Sequence, residues 1–269
     1  MKSNIVRNAK DSHGKVIQLS ARRRPLVFPE HLNTEQKLAF QCAMRRQQTL
    51  LLLLGGAGTG KSHTINAIVN GLTQAAGGQE DTVMVTATTG RAAFIIGGST
   101  IHSWDKGLCL PCGRMQRSAL KGNSLVEFQD RMACVTHIII DEMSMLSLSD
   151  LFMINERCKQ ARPDCKDQLL GGFSVILCGD PAQLPPVRGL CLWNKDKRNQ
   201  ENMQASFLWE NFITVTPNSL GVVVYLQENF RQGNPEQRQY RELLSMIRNG
   251  VARQSDWEWL SQRTSISMG

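Results

Sequence analysis

The chain has no long apolar run. In its 269 residues the longest purely aliphatic stretch is the five leucines at 50–54. That is far short of the ~20 residues a membrane-spanning helix needs. The N-terminus carries no apolar segment of the kind a secretory leader requires. Neither a membrane span nor export is expected. Cysteine is sparse, eight residues at irregular spacing. This argues against a small disulfide-stapled scaffold and for mostly reduced thiols in an intracellular protein. Acidic residues are in deficit, 23 Asp and Glu against 31 Lys and Arg. No segment repeats at a fixed period. What is present suffices for a core: 41% of residues are apolar and 20% charged, which argues against wholesale disorder. The length suits one large domain, or one domain and part of another.

The charge is unevenly placed. Residues 1–32 hold seven basic residues (Lys2, Arg7, Lys10, Lys15, Arg22, Arg23, Arg24) against Asp11 and Glu30. The rest of the chain is nearly balanced, 24 basic residues against 21 acidic. The tail has little apolar periodicity and ends at Pro25 and Pro29. Residues 1–32 are therefore expected to form a flexible basic tail. Arg22-Arg23-Arg24 reads as a solvated charge run, with a nuclear address or a non-specific phosphate contact as the other readings.

Beyond the tail, strands alternate with helices. Asn33 can cap a helix with Gln36 as its reciprocal partner, and Leu38, Ala39, Cys42 and Ala43 supply the apolar stripe. Residues 49–54 read as a buried parallel strand. A glycine-rich turn over 55–62 and a helix over 62–74 follow, then a strand over 82–87. A short helix after Gly90 and another helix start near Thr100 come next. Residues 137–140, 173–178 and 222–226 are further strands, and 146–161 and 235–249 further helices, the last stopped by Gly250. Residues 105–132 fit this alternation least and are expected to be an irregular insertion. The pattern specifies an α/β fold with a mainly parallel sheet flanked by helices.

Gly55-Gly56-Ala57-Gly58-Thr59-Gly60-Lys61-Ser62 satisfies G-x-x-x-x-G-K-[ST], between a strand and a helix. Glycines let such a loop curl until its N–H groups face phosphate oxygens, and the N-terminus of the next helix adds positive potential, with His63 in its first turn among the expected nucleotide-binding residues. Lys61 is placed to reach the β- and γ-phosphates of ATP, and Ser62 to hold Mg²⁺. Ile138-Ile139-Ile140-Asp141-Glu142 puts two carboxylates at the carboxyl edge of the sheet, where ligands of α/β proteins bind. Asp141 would bind Mg²⁺, and Glu142 would orient or deprotonate the attacking water. These residues identify a P-loop NTPase.

A further segment narrows the class. Gly179-Asp180-Pro181-Ala182-Gln183-Leu184-Pro185-Pro186-Val187 follows a strand. It resembles the third motif of superfamily-one helicases, particularly the PIF (petite integration frequency) family and its RecD-like relatives. Leu32-Asn33-Thr34-Glu35-Gln36 resembles that family's adenine-reading motif. Thr86-Ala87-Thr88-Thr89-Gly90-Arg91-Ala92-Ala93 and Gly97-Gly98-Ser99-Thr100-Ile101-His102-Ser103 resemble its strand-contacting segment. Leu226-Gln227-Glu228-Asn229-Phe230-Arg231-Gln232 resembles its fourth motif. The spaced set covers about residues 32–263.

The resemblance implies a RecA-like ATPase lobe over residues 33–221 and the start of a second lobe over 222–269. It implies an ATP-dependent DNA helicase of 5′-to-3′ polarity on single-stranded DNA, serving repair, recombination or telomere maintenance in the nucleus or mitochondrion. It implies that Gln36 contacts adenine, Gln183 senses the γ-phosphate and Arg231 is the arginine finger. Thr89, Arg91, Thr100 and His102 would contact the DNA strand. A helix-surface arginine and a structural histidine are the plainer readings of Arg91 and His102.

The family's later motifs have no counterpart, and only 38 residues follow Arg231, where a second lobe needs ~100 or more. The chain resembles the amino-terminal half of such a helicase. An arginine finger supplies about 10³–10⁵ in rate, roughly 4–7 kcal/mol. ATP binding is thus expected to survive, with slow hydrolysis and no processive unwinding unless a second lobe or a protein partner completes the site. The competing reading is a non-catalytic nucleotide- or DNA-binding module derived from a helicase. The missing motifs favour it; the retained Lys61, Asp141 and Glu142 oppose it. A small-molecule kinase would leave residues 179–187 and 230–232 unexplained. Cys109 and Cys112 have no second pair at metal-ligand spacing, so zinc is not expected.

Overall fold

A computed structural model describes residues 6–10, 16–20, 24–111, 119–187, 189–195, 199–216, 219–230 and 238–264. Near the N-terminus, β1 (Val6–Lys10) and β2 (Val16–Ser20) pair antiparallel, with Val6 opposite Ser20 and Lys10 opposite Val16. The tail expected to be flexible thus holds a paired segment, consistent with the β-branched Val6, Val16 and Ile17. Its end is packed as well. Val27 and Leu32 are buried beside Ala67. Arg24, expected within a solvated charge run, instead donates from Nε to Ile96 O at 2.9 Å and from Nη2 to Gly97 O at 2.8 Å. Those carbonyls end a helix and are natural acceptors for a guanidinium.

The body of the chain is one six-stranded sheet. Its strands are β3 (Leu50–Gly55), β4 (Val83–Ala87), β5 (Ser99–Thr100), β6 (His137–Asp141), β7 (Ser174–Gly179) and β8 (Gly221–Leu226). They lie in the order β5-β4-β6-β7-β3-β8, and every pairing is parallel. The leucine run explains itself in this setting. Leu50 and Leu52 belong to one core cluster, Leu51 and Leu53 to the other, because successive side chains in a strand face opposite ways and both faces are covered.

One face carries α1 (Thr34–Ala43), α2 (Lys61–Ala75) and α3 (Gly90–Ile95), which bury Ala39, Ile65, Ile68 and Ala93 among others. The other carries α4 (Asn123–Met132), α5 (Leu148–Ala161) and α6 (Gln200–Ile213), with Phe128, Leu151, Ile154 and Phe212 buried. Two further helices, α7 (Arg238–Arg248) and α8 (Gln254–Thr264), follow. Asn33 caps α1 in a full capping box with Gln36, and Ser147 caps α5 in another with Asp150.

Within the stretch expected to be an irregular insertion, Leu108, Leu110, Phe128 and Met132 are each under 5% exposed and lie in the larger core cluster, and α4 forms its end; residues 112–118 lie outside the described residues. Thr100 belongs to a short strand, not a helix start. The lobe division expected at residue 222 passes through β8, which pairs with β3 from Leu50 opposite Gly221 to Gly55 opposite Leu226. α6 is not among the elements expected from sequence, although Ala205, Leu208, Trp209 and Phe212 follow helical spacing and are buried.

The start of β6 yields a pH prediction. The His137 ring faces Ala43 O from Nε2 at 3.1 Å and Thr136 Oγ1 from Nδ1 at 2.8 Å. A carbonyl only accepts, so Nε2 carries the proton and the threonine hydroxyl donates to Nδ1. Burial holds the His137 pKa below its ordinary value, partly opposed by the bond to Ala43. A depressed folded-state pKa gives stability that is fully present above the unfolded value of about 6.5 and is lost as pH falls through the folded value. The melting temperature of the wild type should therefore fall relative to that of His137→Gln as pH drops below about 6.5. A constant difference between the two melting curves from pH 8 to 5 would refute this.

Candidate nucleotide site and adjoining groove

The carboxyl edges of β3, β6 and β7 converge where the glycine-rich loop leaves the sheet. Gly60 has φ +84°, and a Cβ there would sit 2.4 Å from Gln36 Nε2. Only glycine fits both the left-handed backbone and that contact. Thr59 Oγ1 donates to Gly56 O at 3.0 Å and braces the loop from within. Lys61 Nζ donates to Gly55 O at 2.7 Å and Gly56 O at 2.9 Å. The ammonium thus rests on carbonyls of its own loop, an arrangement that phosphate oxygens can outcompete because they carry formal negative charge where a carbonyl offers only a dipole.

Asp141 ends β6 and is 6% exposed. Burial pushes its carboxyl up to about 6; the Glu142 amide, Lys61 and Cys178 pull it down, and the Glu142 charge pushes it further up. Glu142 N–H donates to Asp141 Oδ1 at 2.9 Å. Glu142 adopts φ 57°, ψ 46°, a left-handed backbone uncommon for a non-glycine residue. Its carbonyl accepts from Thr88 Oγ1 at 3.2 Å, which fixes the turn. The strained turn is what brings Glu142 to the mouth of the cleft.

A cleft of about 360 Å³ is lined by Ala57, Gly58, Gly60, Lys61, Ser62 and His63 from the loop, by Asp141, Glu142 and Gln183, and by Phe230. Most of the expected nucleotide residues therefore meet in one place. Gly56 and Thr59 shape the loop from behind, and Gln36 is 2% exposed. Its Oε1 accepts from Asn33 N–H at 3.1 Å and its Nε2 donates to Thr59 O at 3.3 Å. The segment after β8 packs on the same loop. Phe230 N–H donates to Gly58 O at 2.8 Å, and Asn229 Nδ2 to Ala57 O at 3.0 Å. Gln227 N–H reaches Glu35 at 2.8 Å, and Asn33 Nδ2 reaches Glu228 at 2.8 Å. Arg231 lies outside the described residues.

A second groove of about 750 Å³ adjoins the first and shares Glu142, Gln183, Ala92 and Ile95 with it. Thr89 and Arg91 line it, together with Ser144, Met145, Leu184 and Pro185. Thr100 and His102, expected with them, line neither space; the His102 ring lies 3.3 Å from Leu110 O instead. Asn229 and Phe230 stand in the expected fourth motif and Asp180 in the third, but no role was expected for them, and the partner Arg248 was not expected at all. Arg248 donates to Asp180 from Nε at 3.1 Å and from Nη2 at 2.7 Å. Burial raises the Asp180 pKa, but the bonds from Arg248 and the Ala182 amide prevail and hold it below the usual carboxylate range. Nothing in the sequence signals this pair, whose partners are 68 residues apart.

Ser62, Asp141 and Glu142 offer a hydroxyl and two carboxylates in the cleft, the hard oxygen donors Mg²⁺ prefers. Burial is the main cause of the upward push on Asp141, an environment in which a bound divalent ion would stabilise the charged carboxylate. Among the described residues, no helix is long and apolar enough to cross a membrane.

Comparison with known proteins agrees with this geometry. A family model described as PIF1-like helicase matches residues 31–258. The ATP-dependent DNA helicase Pif1 of Psychrobacter sp. (strain PRwf-1) is 32% identical over 211 residues, covering 75% of this chain and 29% of that protein. The crystal structure of Pif1 helicase from Candida albicans superposes with TM-score 0.63 at 26% identity, over 84% of this chain and 46% of that one. Bacteroides Pif1 bound to single-stranded DNA gives 0.59 at 25% identity, over 86% of this chain and 49% of that one. The chain thus spans under a third of the curated relative and about half of the solved helicases.

Proposed function

The chain belongs to the PIF1-like helicase family, and from that premise we propose that it carries the motor lobe of an ATP-dependent DNA helicase. It binds Mg·ATP in the 360 Å³ cleft, hydrolyses it, and couples hydrolysis to movement along single-stranded DNA in the adjoining groove. The observation that carries this is the shared wall: Glu142 and Gln183 line both spaces, so one pair of side chains meets nucleotide on one side and DNA on the other.

Lys61 exchanges its loop carbonyls for the β- and γ-phosphates. Ser62 and Asp141 would hold Mg²⁺, which neutralises phosphate charge when bound. Glu142 orients the attacking water and takes its proton. Gln183 senses the γ-phosphate, and Arg231 serves as the arginine finger. Gln36 reads adenine by giving up its long bond to Thr59, and Phe230 walls the same end. Thr89 and Arg91 hold the strand; Thr100 and His102 support that segment from behind. We place the lobe division after Leu226, beyond which a second lobe or a partner would close the cleft. Translocation is 5′ to 3′, and the work is in DNA repair, recombination or telomere maintenance, in the nucleus or mitochondrion.

The test is ATP hydrolysis by the purified 269-residue chain, with and without single-stranded DNA. Stimulation by DNA is the expected result. Mg·ATP binding that Lys61→Ala abolishes, without turnover by the wild type, would mean a competent nucleotide lobe that a second lobe must complete, and only the absence of turnover with that lobe supplied would establish the alternative of a non-catalytic nucleotide-binding module. No nucleotide binding at all would overturn the reading of the cleft.

A further inference from the structure

α7 ends on Arg248, and the chain is stopped there by two bonds. Gly250 N–H donates to Ile247 O at 3.1 Å and Val251 N–H to Met246 O at 2.9 Å, with Gly250 at φ +69°. This closure fixes the last turn, and with it the base of the Arg248 side chain. The guanidinium grips both oxygens of Asp180 along its Nε–Nη2 edge, the bidentate geometry that suits a carboxylate.

Asp180 is 2% exposed and sits at the end of β7, in the next register position to the start of the glycine-rich loop. Its Oδ2 lies 3.9 Å from where Gly56 would carry a Cβ. Gly56 O is also one of the two carbonyls that hold Lys61 Nζ. The carboxylate is therefore beside the phosphate-binding lysine, close enough for the two charges to interact. Left unpaired, a buried carboxylate there would attract the Lys61 ammonium and repel incoming phosphates, since charges interact strongly where water is excluded.

We propose that Arg248 is a positioning residue for nucleotide binding: by occupying Asp180 it leaves Lys61 free for the phosphates of ATP. This rests on reading the 360 Å³ cleft as the ATP site. Arg248 does not line that cleft; it also meets the Tyr225 side chain, but the carboxylate beside the loop is Asp180, and the proposed effect on nucleotide runs through it. Its effect on nucleotide affinity must then depend on the Asp180 charge, a dependence that a purely structural role for α7 would not show.

The experiment is a titration of the full chain with a fluorescent ATP analogue and Mg²⁺, comparing wild type, Arg248→Gln, Asp180→Asn and the double variant, each checked for folding by thermal melting. Arg248→Gln should weaken binding on the order of tenfold, whereas in the Asp180→Asn background the same change should shift affinity by less than about twofold. Equal losses in both backgrounds, or no loss in either, would overturn the proposal. If Arg248→Gln does not fold, Arg248→Lys replaces it. Lysine keeps the charge but loses the bidentate grip, so a smaller loss is expected that Asp180→Asn again removes. A loss that persists beside Asp180→Asn overturns the proposal. A wild type that binds no nucleotide fails at the earlier step, the reading of the cleft itself.

Discussion

Glu142→Gln is expected to lower DNA-stimulated ATP turnover by about 10²–10⁴-fold, the usual contribution of a positioned general base, while Mg·ATP binding persists. Glutamine keeps the size and hydrogen-bonding reach of the side chain but cannot accept a proton from water. The surroundings of Glu142 separate its role from that of Asp141. Asp141 is buried at the strand end, where burial resists its charge and a cation is wanted. Glu142 is one residue further on, turned outward by a left-handed backbone to the wall between the two spaces. Loss of the first should weaken metal-dependent binding, and loss of the second should spare binding and stop chemistry. Phosphate release at saturating DNA, measured beside equilibrium binding of a fluorescent ATP analogue, tests the split. Unchanged turnover in Glu142→Gln would remove Glu142 from the reaction.

The parts of the site that were legible in sequence are those built from short, continuous segments. The loop at 55–62 needs its glycines in fixed order, and the strand before Asp141 needs unbroken apolar residues because both faces of the sheet are covered. Such demands leave patterns. The Asp180–Arg248 pair leaves none, because an ion pair constrains two distant positions and not the residues between them. His102 lies in a segment that resembles a strand-contacting motif, and its ring nitrogen lies at a backbone carbonyl of its own loop, a contact that no motif signals. The helical spacing of Ala205, Leu208, Trp209 and Phe212 stands in the sequence, yet α6 was not among the expected elements, and the wider stretch at 105–132 was obscured. Its buried residues Leu108 and Leu110 come from irregular backbone, where neither the helical nor the strand period applies.

Phe128→Ala should destabilise the protein by about 3–5 kcal/mol, a large fraction of the 5–15 kcal/mol typical of a folded domain. Phe128 is 1% exposed on α4 and shares a cluster with Met132, Leu108 and residues of α5. The Arg131 guanidinium lies over its ring, 5.2 Å from the centroid. Truncation removes apolar area and opens a cavity that the close-packed neighbours fill only in part. Val126 provides the control, since it stands on the same helix at 55% exposure and Val126→Ala should stay within about 0.5 kcal/mol. Urea denaturation of the two variants discriminates between the alternatives for residues 105–132. A surface insertion would tolerate both changes alike, because its unfolding need not disturb the sheet. A segment whose side chains complete the core beneath β6 and α5 must show the large difference, and must lose ATP binding in the same transition as the fold. α2, which the nucleotide loop opens, and α4 lie on opposite faces of one sheet, so their stabilities cannot be separated if the core is continuous.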